Sequence, residues 1–336
     1  MFRIGILPAS RVLAIALAVA GCSLSAPAGE TTAGPPVTPA NDSFTEHVAR
    51  LKLKVPDGFT VVVQPPFVVI GDESPATVQI RATKTVKWAV DRLKQEYFPR
   101  DPADIIDIWL FRDRASYTNN ALRLFNDMPA SPFGYYAAEH GALVMNIATG
   151  SGTLVHEIVH AYVRANFPAC PPWFNEGLAT LYEASTEKNG HICGLINWRI
   201  KGLEQSIREG KTISFQRLTA MPEAEFYGGP NSTNYNAYYA QSRYLCYYLQ
   251  EKGLLKTFYH EFAANVKQDP TGYKTLQRVL RVTDMDAFKK QWEDYVLQLR
   301  TPYVRLGSFI FICQVQTANI KLIIVTIPHT TLKLGW

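Results

Sequence analysis

Leu154-Val155-His156-Glu157-Ile158-Val159-His160 places two histidines four residues apart, with a glutamate directly after the first. In a helix, residues four apart stand one turn above each other, so both imidazoles address one point in space. Glu157 lies beside that face, where a carboxylate can orient a water at an ion and take its proton. Leu154, Val155, Ile158, Val159, Tyr162 and Val163 add a broad apolar surface, the mark of a helix buried in a core. Polar groups in such a helix need partners, and a zinc ion would supply one. The alternative is a core helix whose histidines are hydrogen-bonded. Ser151-Gly152-Thr153 offers an N-cap just ahead of it.

Working outward, residues 60–63 and 67–70 read as short strands separated by Pro65-Pro66, and 76–98 carries apolar residues at helical spacing. Residues 105–111 form a β-branched and aromatic run, which predicts a buried strand. The segments 134–138 and 142–147 flank Glu139-His140-Gly141, whose composition suits a hairpin turn. This order predicts an α+β fold, a mixed sheet carrying the histidine helix. Beyond Glu176 the pattern is mainly helical, with helices expected near 198–209, 235–251, 254–267, 273–280 and 285–299.

A catalytic zinc takes three protein ligands and keeps one position open, so a third donor is expected downstream. The stretch Cys170-Pro171-Pro172-Trp173-Phe174-Asn175-Glu176-Gly177-Leu178-Ala179 offers Glu176. Pro172 suits a helix start, which sets Glu176 in the first or second turn. With His156-Glu157-x-x-His160 followed by Pro172-Trp173-x-x-Glu176-Gly177-x-Ala179, the chain resembles the gluzincin zinc peptidases, particularly the bacterial peptidase-MA-like branch. The strongest motifs cover residues 134–183, and the match in element order extends over 44–300.

The resemblance implies a thermolysin-like zincin core. An upper α/β subdomain over 43–165 would end in the histidine helix, and a helical subdomain over 166–300 would carry the glutamate ligand. It also implies one catalytic Zn2+ held by His156, His160 and Glu176, with Glu157 as the general base acting on a peptide or protein substrate. The strand 142–146 would match the zincin edge strand that pairs with an extended peptide. Tyr239, in Tyr-Ala-Gln-Ser, is the candidate donor to the tetrahedral oxyanion, although Tyr235, Tyr238 and Tyr239 at helical spacing equally suit core packing. Many gluzincins place an Asp four residues after the glutamate ligand. Thr180 stands there in this chain, which leaves the partner that orients a histidine unassigned.

At the N-terminus, Arg3 and Arg11 precede an apolar run over 12–20, and Val19-Ala20-Gly21-Cys22 closes it. This resembles a bacterial lipobox. It implies a signal peptide over 1–22, acylation of Cys22 and a disordered tether over 23–42 rich in Pro, Gly, Ala and Thr. The expected location is the bacterial cell envelope, with the membrane reached through the lipid anchor. Ser23 after the Cys favours the outer membrane of a Gram-negative cell. An ordinary signal cleaved near Ala26 or Ala28 is the alternative. Export permits disulfides, and Cys170 with Cys193 brackets the Glu176 segment as a candidate pair.

The net charge is +5 with no dense Lys/Arg block, so nucleic-acid binding is not suggested. The tail 301–336 has no acidic residue and stands apart in composition. Two functions compete with a peptidase: a catalytically inactive envelope protein that keeps the fold for binding or scaffolding, and a zinc amidase acting on cell-wall peptides.

Overall fold

The computed structural model describes residues 40–228 and 235–300. The signal and lipobox with Cys22, nearly all of the expected tether, and the 301–336 tail lie outside the described residues. The first helix, α1 (Ala40–Lys52), begins within the segment whose composition suggests a tether. The folded unit begins at Phe44.

Next come β1 (Thr60–Gln64) and β2 (Phe67–Gly71), an antiparallel pair turning at Pro65-Pro66. A helical segment follows as α2 (Pro75–Ile80), a π-helical stretch (Arg81–Lys87) and α3 (Trp88–Glu96). Ser74 caps it, its hydroxyl accepting from the Thr77 N–H. Then come β3 (Ile106–Phe111), α4 (Arg114–Phe125), β4 (Gly134–Ala137) and β5 (Ala142–Asn146). The sheet order is β1-β2-β3-β5-β4, with β2, β3 and β5 parallel and β4 antiparallel at the edge. The strand expected at the edge, 142–146, is therefore interior. The first arm of its hairpin takes the edge.

Both faces of the central strands are covered, which is why they read as unbroken apolar runs. Phe67, Val69, Ile108, Leu110, Leu143 and Met145 join the core shared with the histidine helix. The alternate residues Val68, Ile70, Trp109, Phe111 and Val144 pack with Leu51 of α1 and with Tyr117 and Ala121 of α4. Helix α4 was not foreseen because it buries only those two residues, too narrow a stripe to register as periodicity.

After β5 the chain enters α5 (Gly152–Asn166) and α6 (Pro172–Leu181). A hairpin of β6 (Ser185–Lys188) and β7 (His191–Gly194) follows. It turns at Asn189-Gly190, both at positive φ (53° and 79°). Asn-Gly is a strong hairpin signal that the sequence carries plainly and that the helical expectation passed over. The remainder is helical: α7 (Arg199–Arg208), α8 (Phe215–Thr219), α9 (Glu223–Phe226), α10 (Tyr235–Glu251), α11 (Leu255–Asn265), α12 (Tyr273–Leu280) and α13 (Met285–Gln298). The five longer ones match the expected positions closely; α8 and α9 are additional. Among the described residues, no helix is long and apolar enough to cross a membrane.

Helix α6 is almost wholly enclosed. Trp173 and Phe174 pack on Phe258 and Phe262 of α11, and the Trp173 indole N–H donates to Thr271 O at 2.9 Å. Gly177 lets α10 approach closely, since a Cβ there would lie 2.9 Å from Cys246 Sγ and 3.0 Å from Ser242 O. These contacts hold the helix that presents Glu176.

Candidate metal centre

Helix α5 buries Leu154, Val155, Ile158, Val159 and Tyr162, and this fixes its rotation. His156 and His160 are thereby set on the opposite, half-buried face, with their Nε2 atoms 2.9 Å apart. Ser151 stands at the N-cap but does not cap. Its hydroxyl accepts instead from Arg81 Nη1 at 3.3 Å, and Arg81 is itself paired with Glu73. The helix start is thus tied to the π-helical stretch rather than to its own side chain.

Pro172 opens α6 at the first helical position, where its missing N–H costs nothing. Glu176 falls in the second turn, only 4 % exposed. Its Oε2 lies 3.4 Å from His156 Nε2 and 3.6 Å from His160 Nε2, and finds no hydrogen-bond partner. The three atoms therefore form a triangle with sides of 2.9, 3.4 and 3.6 Å. Ligand atoms around a tetrahedral zinc with bonds of about 2.0–2.1 Å stand about 3.3 Å apart. A buried carboxylate oxygen without a partner, facing two imidazole nitrogens at those spacings, fits a cation. Among the described residues, His156, His160 and Glu176 form a group whose donor atoms all lie within 4.8 Å of one another, close enough to hold a metal.

A second layer orients the first. His160 Nδ1 lies 2.9 Å from Asn175 Oδ1, an oxygen that can only accept, so Nδ1 carries the proton and Nε2 turns a lone pair to the centre. His156 Nδ1 faces Glu183 Oε1 at 3.3 Å. Glu183 is held from behind by Arg199, which donates through Nη2 (2.8 Å) and Nε (3.0 Å). Glu183 is thus a carboxylate facing His156 Nδ1 without a hydrogen bond to it, while the Thr180 hydroxyl donates to Glu176 O within its own helix. Glycine makes this possible: a Cβ on Gly152 would sit 2.2 Å from Glu183 O, so α5 can start against that backbone only without a side chain.

The electrostatics agree. Burial alone would make the His156 imidazolium easier to deprotonate, but the carboxylates of Glu176 and Glu183 outweigh it and raise its pKa to about 10. Burial likewise opposes ionisation of Glu183, yet His156 and Arg199 hold its pKa down to about 2. Glu176 shifts strongly downward against its own burial because both histidines face it. The centre is built for positive charge.

Glu157 projects between two cavities. One, of about 310 Å³, is lined by Tyr136, Glu157, His160, Arg164, Glu176 and Tyr227 among others. The other, of about 490 Å³, is lined by Phe133, His156, Glu157, Trp198, Arg199 and Tyr239 among others. Tyr239 lines the second cavity with His156 and Glu157, and burial and the Glu176 charge push its phenol pKa up. Tyr227, which sequence reasoning missed, approaches from the other cavity and is raised by the same two causes. It follows a four-residue helix that periodicity cannot reveal. Glu183 lies two residues beyond the end of α6, so helical spacing gave no sign of it.

The expected Cys170–Cys193 bridge does not form, and Cys170, Cys193 and Cys246 are free thiols. Cys170 lies at the entry to α6, where its thiol donates to Pro171 O. Cys193 sits on β7, where its sulfur accepts from Gln250 Nε2 at 3.3 Å. No protein-family profile matches the chain, and no curated protein matches it in sequence.

Proposed function

We propose that this chain is a zinc-dependent peptidase of the gluzincin type, built on a zincin-like core. One observation carries the reading: His156 Nε2, His160 Nε2 and Glu176 Oε2 converge, with Glu157 beside them at the junction of two cavities. Two imidazoles and a carboxylate are a donor set suited to zinc. When bound, a zinc ion supplies Lewis acidity, polarising a peptide carbonyl and acidifying a water.

The chain's own residues do the rest. Glu157 makes no hydrogen bond or ion pair with a described residue, so its carboxylate is available to take a proton from water and deliver it to the leaving amine. Tyr239 and Tyr227 stand together near Glu176, their ring centroids 6.4 Å apart, where a phenol can donate to the oxyanion. At the end of β5, the Asn146 N–H donates to the O of Phe133, just before β4, at 2.8 Å, which sets the phase of the ladder. Tyr135 and Ala137 then turn their backbone groups to β5, and Tyr136 turns its own outward, available to an extended substrate. A lipid anchor at Cys22 would hold this activity at the bacterial cell envelope.

A chelator-sensitive assay on capped peptides tests the reading. Glu157→Gln should retain the metal and lose about 10²–10⁴ in kcat. Wild-type cleavage that survives complete metal removal would overturn it.

A further inference from the structure

Helix α5 carries a third polar side chain on the histidine face, because Arg164 follows His160 by one turn as His160 follows His156. Its guanidinium carbon lies 4.5 Å from the centroid of the Tyr136 ring on edge strand β4. Both residues line the cavity of about 310 Å³ beside Glu157 and His160. Arg164 is exposed and, like several other arginines, pairs with no carboxylate among the described residues. The aromatic contact steadies the cation but supplies no acceptor for its N–H donors.

Neither of the cavity's carboxylates, Glu157 and Glu176, forms an ion pair with it. Glu157 precedes Arg164 by two turns, about 10 Å along the axis, close to the distance at which salt screens exposed charges. Tyr136 is also a strand residue whose backbone faces outward. A peptide pairing with β4 at Tyr136 therefore runs past Arg164.

Resting on the peptidase reading of this site, we propose that this half of the cleft binds a carboxylate of the substrate, with Arg164 as the specificity-determining residue. One helical turn is about 5.4 Å, less than two residues of extended chain at about 3.3 Å each. The carboxylate thus belongs to the residue beside the reacting bond or the next one. It can be an Asp or Glu side chain, which selects an internal site, or the free C-terminus, which selects trimming from that end.

The test uses the full chain as purified, carrying Glu157→Gln to block turnover, and dansyl-labelled hexapeptides on an alanine background. One series is capped at both ends and carries Glu, Gln or Lys walked through the positions. A second has no acidic side chain and a free C-terminus. Fluorescence anisotropy should show one carboxylate-bearing peptide binding about tenfold tighter than its neutral counterpart, as a charge-assisted hydrogen bond supplies. The capped Glu series and the free C-terminus distinguish the two sources.

Arg164→Glu should reverse the preference toward the Lys peptide, a gain that misfolding cannot mimic, and Arg164→Lys should retain part of the original preference. Equal binding of charged and neutral peptides, or a preference unchanged in Arg164→Glu, would overturn the proposal. A carboxylate preference in binding without any hydrolysis by the wild type would support it while sinking the peptidase reading.

Discussion

Replacing Glu183 by glutamine removes one negative charge behind His156 and keeps the side chain's length. Arg199 donates to both oxygens of the carboxylate, and His156 Nδ1 faces Oε1. A carboxamide has a single oxygen, and the two Arg199 donors claim it, which turns the NH₂ toward Nδ1. That favours the tautomer with the proton on Nε2, the nitrogen that must face the ion. Loss of an outer partner weakens metal affinity by about 10- to 100-fold, or about 1.4–2.7 kcal/mol, and the tautomer reversal places Glu183→Gln at the upper end. Competition against a chromophoric chelator at neutral pH measures it directly. Glu187→Gln on β6, which disturbs the ion pair with Arg92 and the hydrogen bond from the Trp88 indole, serves as the control. An affinity within twofold of wild type in Glu183→Gln would refute the assignment of Glu183 as the orienting carboxylate.

Two further outcomes follow from the same geometry. His156 titrates near 10 without metal, against 6.5 for a free imidazole, so at neutral pH the metal-free centre holds a proton that an incoming ion must displace. Zinc uptake at pH 7.5 should therefore release about one proton into a weakly buffered indicator solution, and apparent affinity should rise up to tenfold per pH unit toward pH 9; pH-independent uptake would contradict it. The same proton stabilises the metal-free fold, fully below about 6.5, and that contribution is lost as pH rises through about 10. Gly177→Ala should destabilise the fold by about 1–3 kcal/mol, because its methyl would press on Cys246 Sγ and the Ser242 carbonyl and push α6 from α10. Urea denaturation followed by tryptophan fluorescence reads that shift, and an unchanged midpoint would show that the two helices are not in tight contact.

What could be read in the sequence was what local periodicity carries. His156 and His160 repeat at one helical turn, and Pro172 with Glu176 opens the next helix, so the three convergent side chains were legible before any fold was known. The buried strands were legible because both their faces are apolar. Sheet order was not, since nothing local tells β5 that β3 will pair with its other side. Glu183 lay hidden because its position depends on Gly152, 31 residues earlier, accepting its backbone at the helix start. The bridge between Cys170 and Cys193 failed for the converse reason: spacing along the chain says little about which packing environment each residue joins.

The central claim is that His156, His160 and Glu176 form a metal centre, and metal content measures it. The full chain, purified without chelators and analysed by inductively coupled plasma mass spectrometry, should carry one zinc per molecule. Glu157→Gln should keep that zinc, while His160→Ala and Glu176→Ala should lose it and remain folded by circular dichroism. A wild-type chain that neither carries zinc nor takes up one equivalent on titration would contradict the account.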